Sequence, residues 1–377
     1  MYTASSLILL SILGGYCLHG FATTNGLYDA IKNLNGKSTL HDGTPYSNTF
    51  TGTALDRPLS TILTFFWPVV DGSQPDLSLA SLLFGGQFVA AWTVTMLEGM
   101  RKGNHWRLAS YTTIFGMLVQ TLAAGFIVPA YLALHLFTSS TVKSPTPEDL
   151  FIPESSLRAL PYSLTLGFIA LSVLMALPTH ISGVNQVHAV LIWQAFPLWI
   201  QLIQTVLSST IFASSSSGVR TSSARNKTQL RLLRRIYTFA LTISAQVHVA
   251  TKSLSVATLF FPSLFTLSAR ESLSPLHIFI PPNPFNRTLK IASVGQGAFW
   301  FIQFDYIIAG VAYHIWGLAV KYKSLPREQF SWSSVLWDAV GWRQNSLGLM
   351  SNALCCVWER DERVLSGVLG DGVKKLQ

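Results

Sequence analysis

Apolar stretches long enough to cross a bilayer occupy most of this chain. They lie at residues 1–21, 77–96, 108–137, 160–177, 187–212, 236–267 and 299–320. A helix needs about 20 apolar residues to span the hydrocarbon core of a membrane. These stretches are apolar on every side, which is typical of helices surrounded by lipid. The pattern predicts an all-α, polytopic transmembrane bundle of about seven spans.

Shorter apolar segments predict helices that do not cross the membrane. Residues 59–70 are too few to span and contain a proline, so we expect a short re-entrant or interfacial helix. Residues 332–342 and 347–358 are typical of amphipathic helices on a membrane surface. The chain therefore divides into a transmembrane bundle over residues 1–330 and an amphipathic, cytoplasmic tail over residues 331–377.

The composition supports a membrane location. Only 11% of the residues are charged, whereas soluble domains carry about 25%. The net charge of +9 is typical of basic cytoplasmic loops, and no motif for nucleic-acid binding accompanies it. Three cysteines cannot form a disulfide framework or a zinc cage at their spacing. We expect an integral, multi-pass protein, in the endoplasmic reticulum, that meets membrane lipid and no nucleic acid.

The loops give conflicting signals about topology. The loop at residues 101–107 and the region 213–235 are basic and should be cytoplasmic, whereas residues 138–158 lean acidic and should be lumenal. Three predicted spans separate the two basic regions, and an odd number of spans would place them on opposite sides of the membrane. Either one segment does not cross, or the rule that positive loops stay cytoplasmic fails here. Asn226 and Asn286 each begin a glycosylation sequon, of which at most one should be lumenal.

The motifs of several enzyme classes are absent from the sequence. No Asp-Asp-x-x-Asp or Asn-Asp-x-x-Asp motif is present to hold magnesium against a diphosphate, and no two histidines have the spacing of a metal-binding helix. Glycine-rich nucleotide loops and the Gly-x-Ser-x-Gly motif are also missing. The sequence thus predicts no metal and no cofactor, and any chemistry would be performed by side chains.

Two acids in the predicted spans are candidate catalytic residues, because charged groups at membrane depth are costly and often functional. Asp305 lies inside the last span, where a carboxylic acid in an aromatic pocket could act as a Brønsted acid. The alternative is a helix-to-helix hydrogen bond or a pair with Lys252. Glu98 ends the second span with Arg101 three residues later, which suggests a general acid positioned by Arg101 or an ordinary ion pair.

Asp56 and Asp71 flank the short apolar segment and are the other catalytic candidates. A broken helix at membrane depth is tolerated where it lines a cavity, so this segment could be a lid or pocket wall. Aspartate in a turn is the competing interpretation. Polar groups on one helix face and aromatic rings, which attract cations, suggest a substrate pocket. The candidate substrate contacts are Arg101, Tyr306, His314, Gln303, Phe301 and Trp67.

The chain resembles a known family of enzymes. The features that carry the resemblance are the span pattern, Leu55-Asp56-Arg57, the segment from Phe65-Phe66-Trp67-Pro68 to Asp71-Gly72, Glu98 with Arg101, and Phe304-Asp305-Tyr306. They are similar to those of the fungal integral-membrane terpene cyclases of meroterpenoid pathways, in particular the ascofuranone-cyclase-like group. The resemblance implies acid-triggered cyclisation of a prenyl chain, often with a terminal epoxide, on an aromatic ring. The substrate would be a lipophilic prenylated molecule.

Other functions stay open at this stage. A small-molecule transporter is possible in principle, although the inverted halves typical of transporters are missing. A seven-helix receptor would use a mid-span lysine such as Lys252 to hold a chromophore. A non-catalytic membrane scaffold is a further alternative. The sequence does not predict an oligomeric state.

Overall fold

The computed structural model describes residues 2–47, 49–177, 183–213, 221–341 and 346–366. Within these ranges the fold is all-α, as predicted, with one isolated β-bridge in a loop. The helices are α1 (Tyr2–Asn25), α2 (Leu27–Lys37), α3 (Asp56–Val70), α4 (Pro75–Met100), α5 (Thr112–Leu122), α6 (Ala124–Thr138), α7 (Glu154–Met175), α8 (Gly183–Gln194), α9 (Phe196–Ser209), α10 (Ser222–Phe260), α11 (Leu267–Ser272), α12 (Pro275–Phe279), α13 (Val294–Lys323), α14 (Trp332–Val340) and α15 (Leu349–Ser366).

Fewer helices than expected have the length and composition of a membrane span. Among the described residues, α1, α4, α7 and α13 are long and apolar enough to cross a bilayer. The pair α8–α9 bends by 70° and raises the number to five if it counts as one span. The apolar helical bundle is confirmed, whereas seven spans are not.

The predicted third span, residues 108–137, is two short helices that fold back on each other. The chain breaks at Ala123, which has φ 71° and ψ 151°. Phe115 on α5 and Tyr131 on α6 then pack with ring centroids 4.7 Å apart, and the Tyr131 hydroxyl donates to the carbonyl of Ala109 at 2.9 Å. The prediction of one long span was wrong because an uninterrupted apolar run carries no local signal for this break.

This hairpin brings both basic regions to one end of the bundle, hereafter the basic end. The loop after α4 joins the loop after α6, where the Lys102 amide donates to the carbonyl of Phe151 at 2.9 Å. Glu148 in the second loop pairs with Lys102 and, at 2.6 Å, with Arg225 near the start of α10. Residues 108–137 therefore return to the end of the bundle from which they start, so the two basic regions share one end. The acidic loop, expected on the opposite side, lies at the same end, where Glu148 pairs with the basic side chains.

The C-terminal helix is part of the core, whereas we expected residues 347–358 on the membrane surface. α15 packs against α4, α10 and α13, and Met350 and Leu354 are fully buried. Gly317 on α13 allows the close approach, since a Cβ there would lie 2.7 Å from the Cα of Ala353. An amphipathic helix can dock on protein or on lipid, and the sequence pattern does not distinguish them. The proposed domain division at residue 330 stays a prediction.

The segment predicted at residues 59–70 forms α3, which begins three residues earlier at Asp56. It packs against α2, α4, α8 and α13 at the end of the bundle opposite the basic end, hereafter the far end. Leu63 and Trp67 on its inner face are buried. Together with α2, this helix closes the far end over the interior.

Candidate active site

A largely apolar cavity of about 670 Å³ lies inside the bundle. Residues of α3, α4, α5, α7, α10 and α13 contribute to its wall. Its volume lies within the range of about 300–1,000 Å³ that is usual for small-molecule sites. Its aromatic lining residues are Tyr28, Phe65, Phe66, Phe84, Phe88, Phe168, Trp193, Phe196 and Phe301. Among the described lining residues, only Asp305 has a carboxyl group.

The aromatic wall is rigid because its rings pack on one another. Phe65 meets Phe301 edge to face with centroids 5.1 Å apart, and Phe66 meets Trp193 at 5.3 Å. Such pairs contribute about 0.5–1.5 kcal/mol beyond the area they bury. Ring faces attract positive charge, so this wall can stabilise a cation without a counter-ion. Phe301, a predicted substrate contact, is one of these rings.

Asp305 is fixed by the break between α5 and α6. The backbone N–H of Gly125, in the first turn of α6, donates to Oδ1 of Asp305 at 2.5 Å. Amides in the first turn of a helix lack partners within the helix, and a side-chain oxygen usually satisfies them. Asp305 performs this role from another helix while only 6% of its surface is exposed. The predicted acid is therefore held in one position beside the aromatic wall.

Two residues that the sequence analysis did not select face the same cavity. His19 Nε2 lies 3.0 Å from the carbonyl of Leu122, the last residue of α5, and His19 Nδ1 lies 2.5 Å from the Tyr28 hydroxyl. A π-helical turn within α1 carries His19, and such turns are frequent at functional sites. The available signal was an ionisable side chain in the first apolar stretch. One carbonyl before the break and one amide after it are thus bonded by residues that line the cavity.

The structure places Glu98 and Arg101 elsewhere, in a fully buried charge cluster at the basic end. Arg101 Nε donates to Glu98 at 2.7 Å, and its Nη2 donates to Asp361 on α15 at 2.7 Å. Arg360 donates to the same Glu98 oxygen at 2.6 Å. The ion pair that we weighed as the alternative for Glu98 is present, extended by two residues that the sequence analysis did not select. The catalytic role of Glu98 stays a prediction.

Asp56 and Asp71 are not among the described lining residues, although Val70 and Gly72, on either side of Asp71, are. Hydrogen bonds from Thr51 hold the pKa of the exposed Asp56 carboxyl below its usual value. Burial raises the pKa of Asp71, but the hydrogen bonds from His41, at 2.9 Å, and the Ser73 amide outweigh it and lower the pKa overall. Both carboxyls are therefore held ionised near neutral pH, which does not suit a proton donor. Their predicted catalytic roles remain untested.

The remaining predicted substrate contacts are not among the described lining residues, although Tyr306 packs against one of them. The Trp67 indole donates to Asp42, the Gln303 amide donates to the carbonyls of His277 and Ile278, His314 lies beside Asn352 and the Ala339 carbonyl, and the Tyr306 ring packs on Phe84. The described residues contain no group of three or more His, Cys, Asp or Glu able to hold a metal ion. Residues 214–220 of the predicted basic region and residue 342 of the predicted surface helix lie outside the described residues.

Comparison with known proteins identifies the family. The family model of the CtvD domain matches residues 3–365, nearly the whole chain. The chain belongs to the CtvD-domain family. One relative, the terpene cyclase ascI of Acremonium egyptiacum, is 34% identical and covers 95% of this chain and 92% of its own. The family resemblance predicted from the sequence is confirmed.

Further relatives carry the same enzyme name. The terpene cyclase ctvD of Aspergillus terreus is 27% identical over 96% of this chain and 99% of its own. The terpene cyclase janA of Penicillium janthinellum is 29% identical over 84% of this chain and 82% of its own. No solved structure matches the chain. This family membership supports an enzyme, and Asp305 is the one carboxyl group among the described residues that line the cavity.

Proposed function

We propose that this protein is a membrane-bound terpene cyclase of fungal meroterpenoid type. It cyclises a prenylated aromatic intermediate, and Asp305 starts the reaction by protonating a terminal epoxide or alkene. The observation that carries the proposal is the position of this acid in the wall of a cavity of about 670 Å³ that is lined by aromatic rings. The names of the relatives favour this function over a transporter or a receptor.

The chemistry needs an acid, a shaped wall and the exclusion of water. Proton transfer from the Asp305 carboxyl to the epoxide oxygen breaks a C–O bond, and the neighbouring alkene attacks the carbon that becomes electron-poor. The positive charge then moves along the prenyl chain, where the faces of rings such as Phe65 and Phe301 stabilise it. An apolar cavity keeps water from capturing the cation before the rings have formed.

We place the basic end in the cytoplasm and the far end in the lumen of the endoplasmic reticulum, because positive loops stay cytoplasmic. Asn226 lies near the start of α10 at the basic end, whereas Asn286 lies in the loop before α13 at the far end. This orientation makes Asn286 the sequon that can be glycosylated. Loss of a glycosidase-sensitive shift on gels in Asn286→Gln, but not in Asn226→Gln, would support it. The opposite pattern would reverse the orientation.

The role of Asp305 as the proton donor is tested by measuring the activity of the Asp305→Asn variant in microsomes of a yeast or mould host. Asparagine keeps an oxygen that accepts from the Gly125 amide, but it is not an acid. We expect wild-type microsomes to convert a prenylated phenol, with or without a terminal epoxide, to a product of unchanged mass. General acid catalysis contributes about 10²–10⁴-fold, so turnover should fall by at least about 100-fold in the variant.

A matched control separates the acid from a general effect of an Asp-to-Asn change. Asp76 pairs with His277 at 2.9 Å at the far end, outside the described cavity lining, so Asp76→Asn should cyclise normally. If Asp305→Asn is as active as wild type, the donor lies elsewhere and Glu98→Gln is the next variant. If wild-type protein forms no cyclised product from any prenylated phenol, the proposed function is wrong.

A further inference from the structure

We propose that Tyr28 is the base that ends the cyclisation and that His19 accepts the proton of the Tyr28 hydroxyl as Tyr28 takes one from the substrate. This inference rests on the proposed function. It starts from the fact that a cyclisation begun by a proton must release a proton if the mass is to stay unchanged. The last cation therefore needs a base within the cavity. Asp305 has by then become a carboxylate, at the position where the cyclisation started.

The hydrogen bonds around His19 fix which nitrogen carries the hydrogen. A carbonyl oxygen only accepts, so the Nε2 that faces Leu122 must carry a hydrogen. In the neutral ring Nδ1 then carries no hydrogen and can only accept, and the Tyr28 hydroxyl donates to it at 2.5 Å. Burial raises the pKa of the Tyr28 hydroxyl, so this group starts in the neutral form. The pair is thus set to move a proton toward the imidazole.

The proton movements balance. A C–H bond next to the final cation breaks, its electron pair forms the new alkene, and the proton goes to the Tyr28 oxygen. The original Tyr28 proton moves to Nδ1 of His19, which becomes an imidazolium whose Nε2–H stays on the Leu122 carbonyl. Return of one proton from His19 to the Asp305 carboxylate restores both groups. No oxidant, reductant or co-reactant is needed.

Other hydroxyls of the described cavity wall lack a basic partner of this kind. Thr61 and Thr121 donate to carbonyls of their own helices, and Ser78 donates to the Val69 carbonyl. Ser81 has no hydrogen-bond partner among the described residues. Ser172 donates to the Phe168 carbonyl and accepts from an indole. Tyr28, in contrast, bonds to an imidazole nitrogen that can hold a proton.

The test compares products rather than rates. In Tyr28→Phe the ring stays and the hydroxyl is lost, whereas in His19→Gln an amide can still donate to the Leu122 carbonyl but cannot take up a proton. Both variants should still consume substrate. The final cation should more often be captured by water or lose a different proton. We expect the ratio of water-captured and isomeric products to the wild-type product to rise at least about tenfold. This is below the contribution of about 10²–10⁴-fold that is typical of a general base, because other groups can still take up the proton.

The matched control is Tyr162→Phe, which makes the same change at an exposed tyrosine outside the described cavity lining and should leave the ratio unchanged. Because a ratio does not depend on the amount of folded protein, poorly expressed variants still give a result. An unchanged ratio in Tyr28→Phe or in His19→Gln would overturn the proposal, and so would an equal rise in Tyr162→Phe. Failure of the proposed function looks different, since wild-type protein would then form no cyclised product at all.

Discussion

Replacement of Arg360 tests whether the buried charge cluster holds the C-terminal helix in the bundle. Arg360 is fully buried and donates to Glu98 at 2.6 Å and to the carbonyl of Thr141 at 3.2 Å. Burial alone would lower its pKa, but Glu98 and Asp361 outweigh this effect and raise it, so the guanidinium stays charged. Arg101 supplies the second cation of the cluster. Two cations therefore face two anions in a space that excludes water.

The expected loss follows from this charge balance. Arg360→Met keeps an apolar side chain of similar length but leaves two carboxylates opposite one guanidinium. Breaking one partner of a buried pair typically costs about 3–5 kcal/mol, because an uncompensated charge remains in a medium that solvates it poorly. An exposed pair contributes only about 0–1 kcal/mol. Arg234, which pairs with Glu362 on the same helix while 56% of its side chain is exposed, provides the control.

Unfolding of the purified protein in detergent, followed by tryptophan fluorescence, measures both variants. We expect Arg360→Met to unfold at clearly lower denaturant or temperature, with Arg234→Met close to wild type. Adding Glu98→Gln to Arg360→Met removes one charge of each sign and should recover part of the loss, as coupled groups do in a double-mutant cycle. Equal losses in the two arginine variants, or strictly additive losses in the double variant, would refute the reasoning.

Three further predictions concern the far end and the cavity. Gly14→Ala should lower the melting temperature, because its Cβ would lie 2.1 Å from the Gly125 carbonyl oxygen and force α1 away from α6. The hydrogen bond to Asp71 raises the pKa of His41 above 6.5, and the pKa of Asp71 lies below 3.8. Their bond should therefore weaken as pH rises through the His41 value or falls through the Asp71 value, which limited proteolysis of the loop before α3 would report. Phe301→Leu should lower kcat up to about thirtyfold with KM little changed, since a ring face contributes about 0.5–2 kcal/mol toward a cation.

Asp305 shows what can be predicted from a short stretch of sequence. A carboxyl group inside an apolar run is costly in lipid, so Asp305 stands out in the sequence without knowledge of its neighbours. Glu98 stands out for the same reason, yet the structure surrounds it with Arg101 and Arg360. A local rule identifies which groups need a partner, but it cannot say whether that partner is a substrate or another side chain.

The apolar runs and the low content of charged residues predicted an all-α bundle without knowledge of the fold, because both are properties of neighbouring residues, and the resemblance of a few motifs predicted the terpene cyclase family. The break of residues 108–137 at Ala123, where His19 and Asp305 bond to backbone groups on either side, is visible in the tertiary structure alone. The tertiary structure also brought Arg360 to Glu98, which lies 262 residues earlier. Such contacts depend on how helices pack, since the free energy of a buried polar group is set by partners that are distant in the chain.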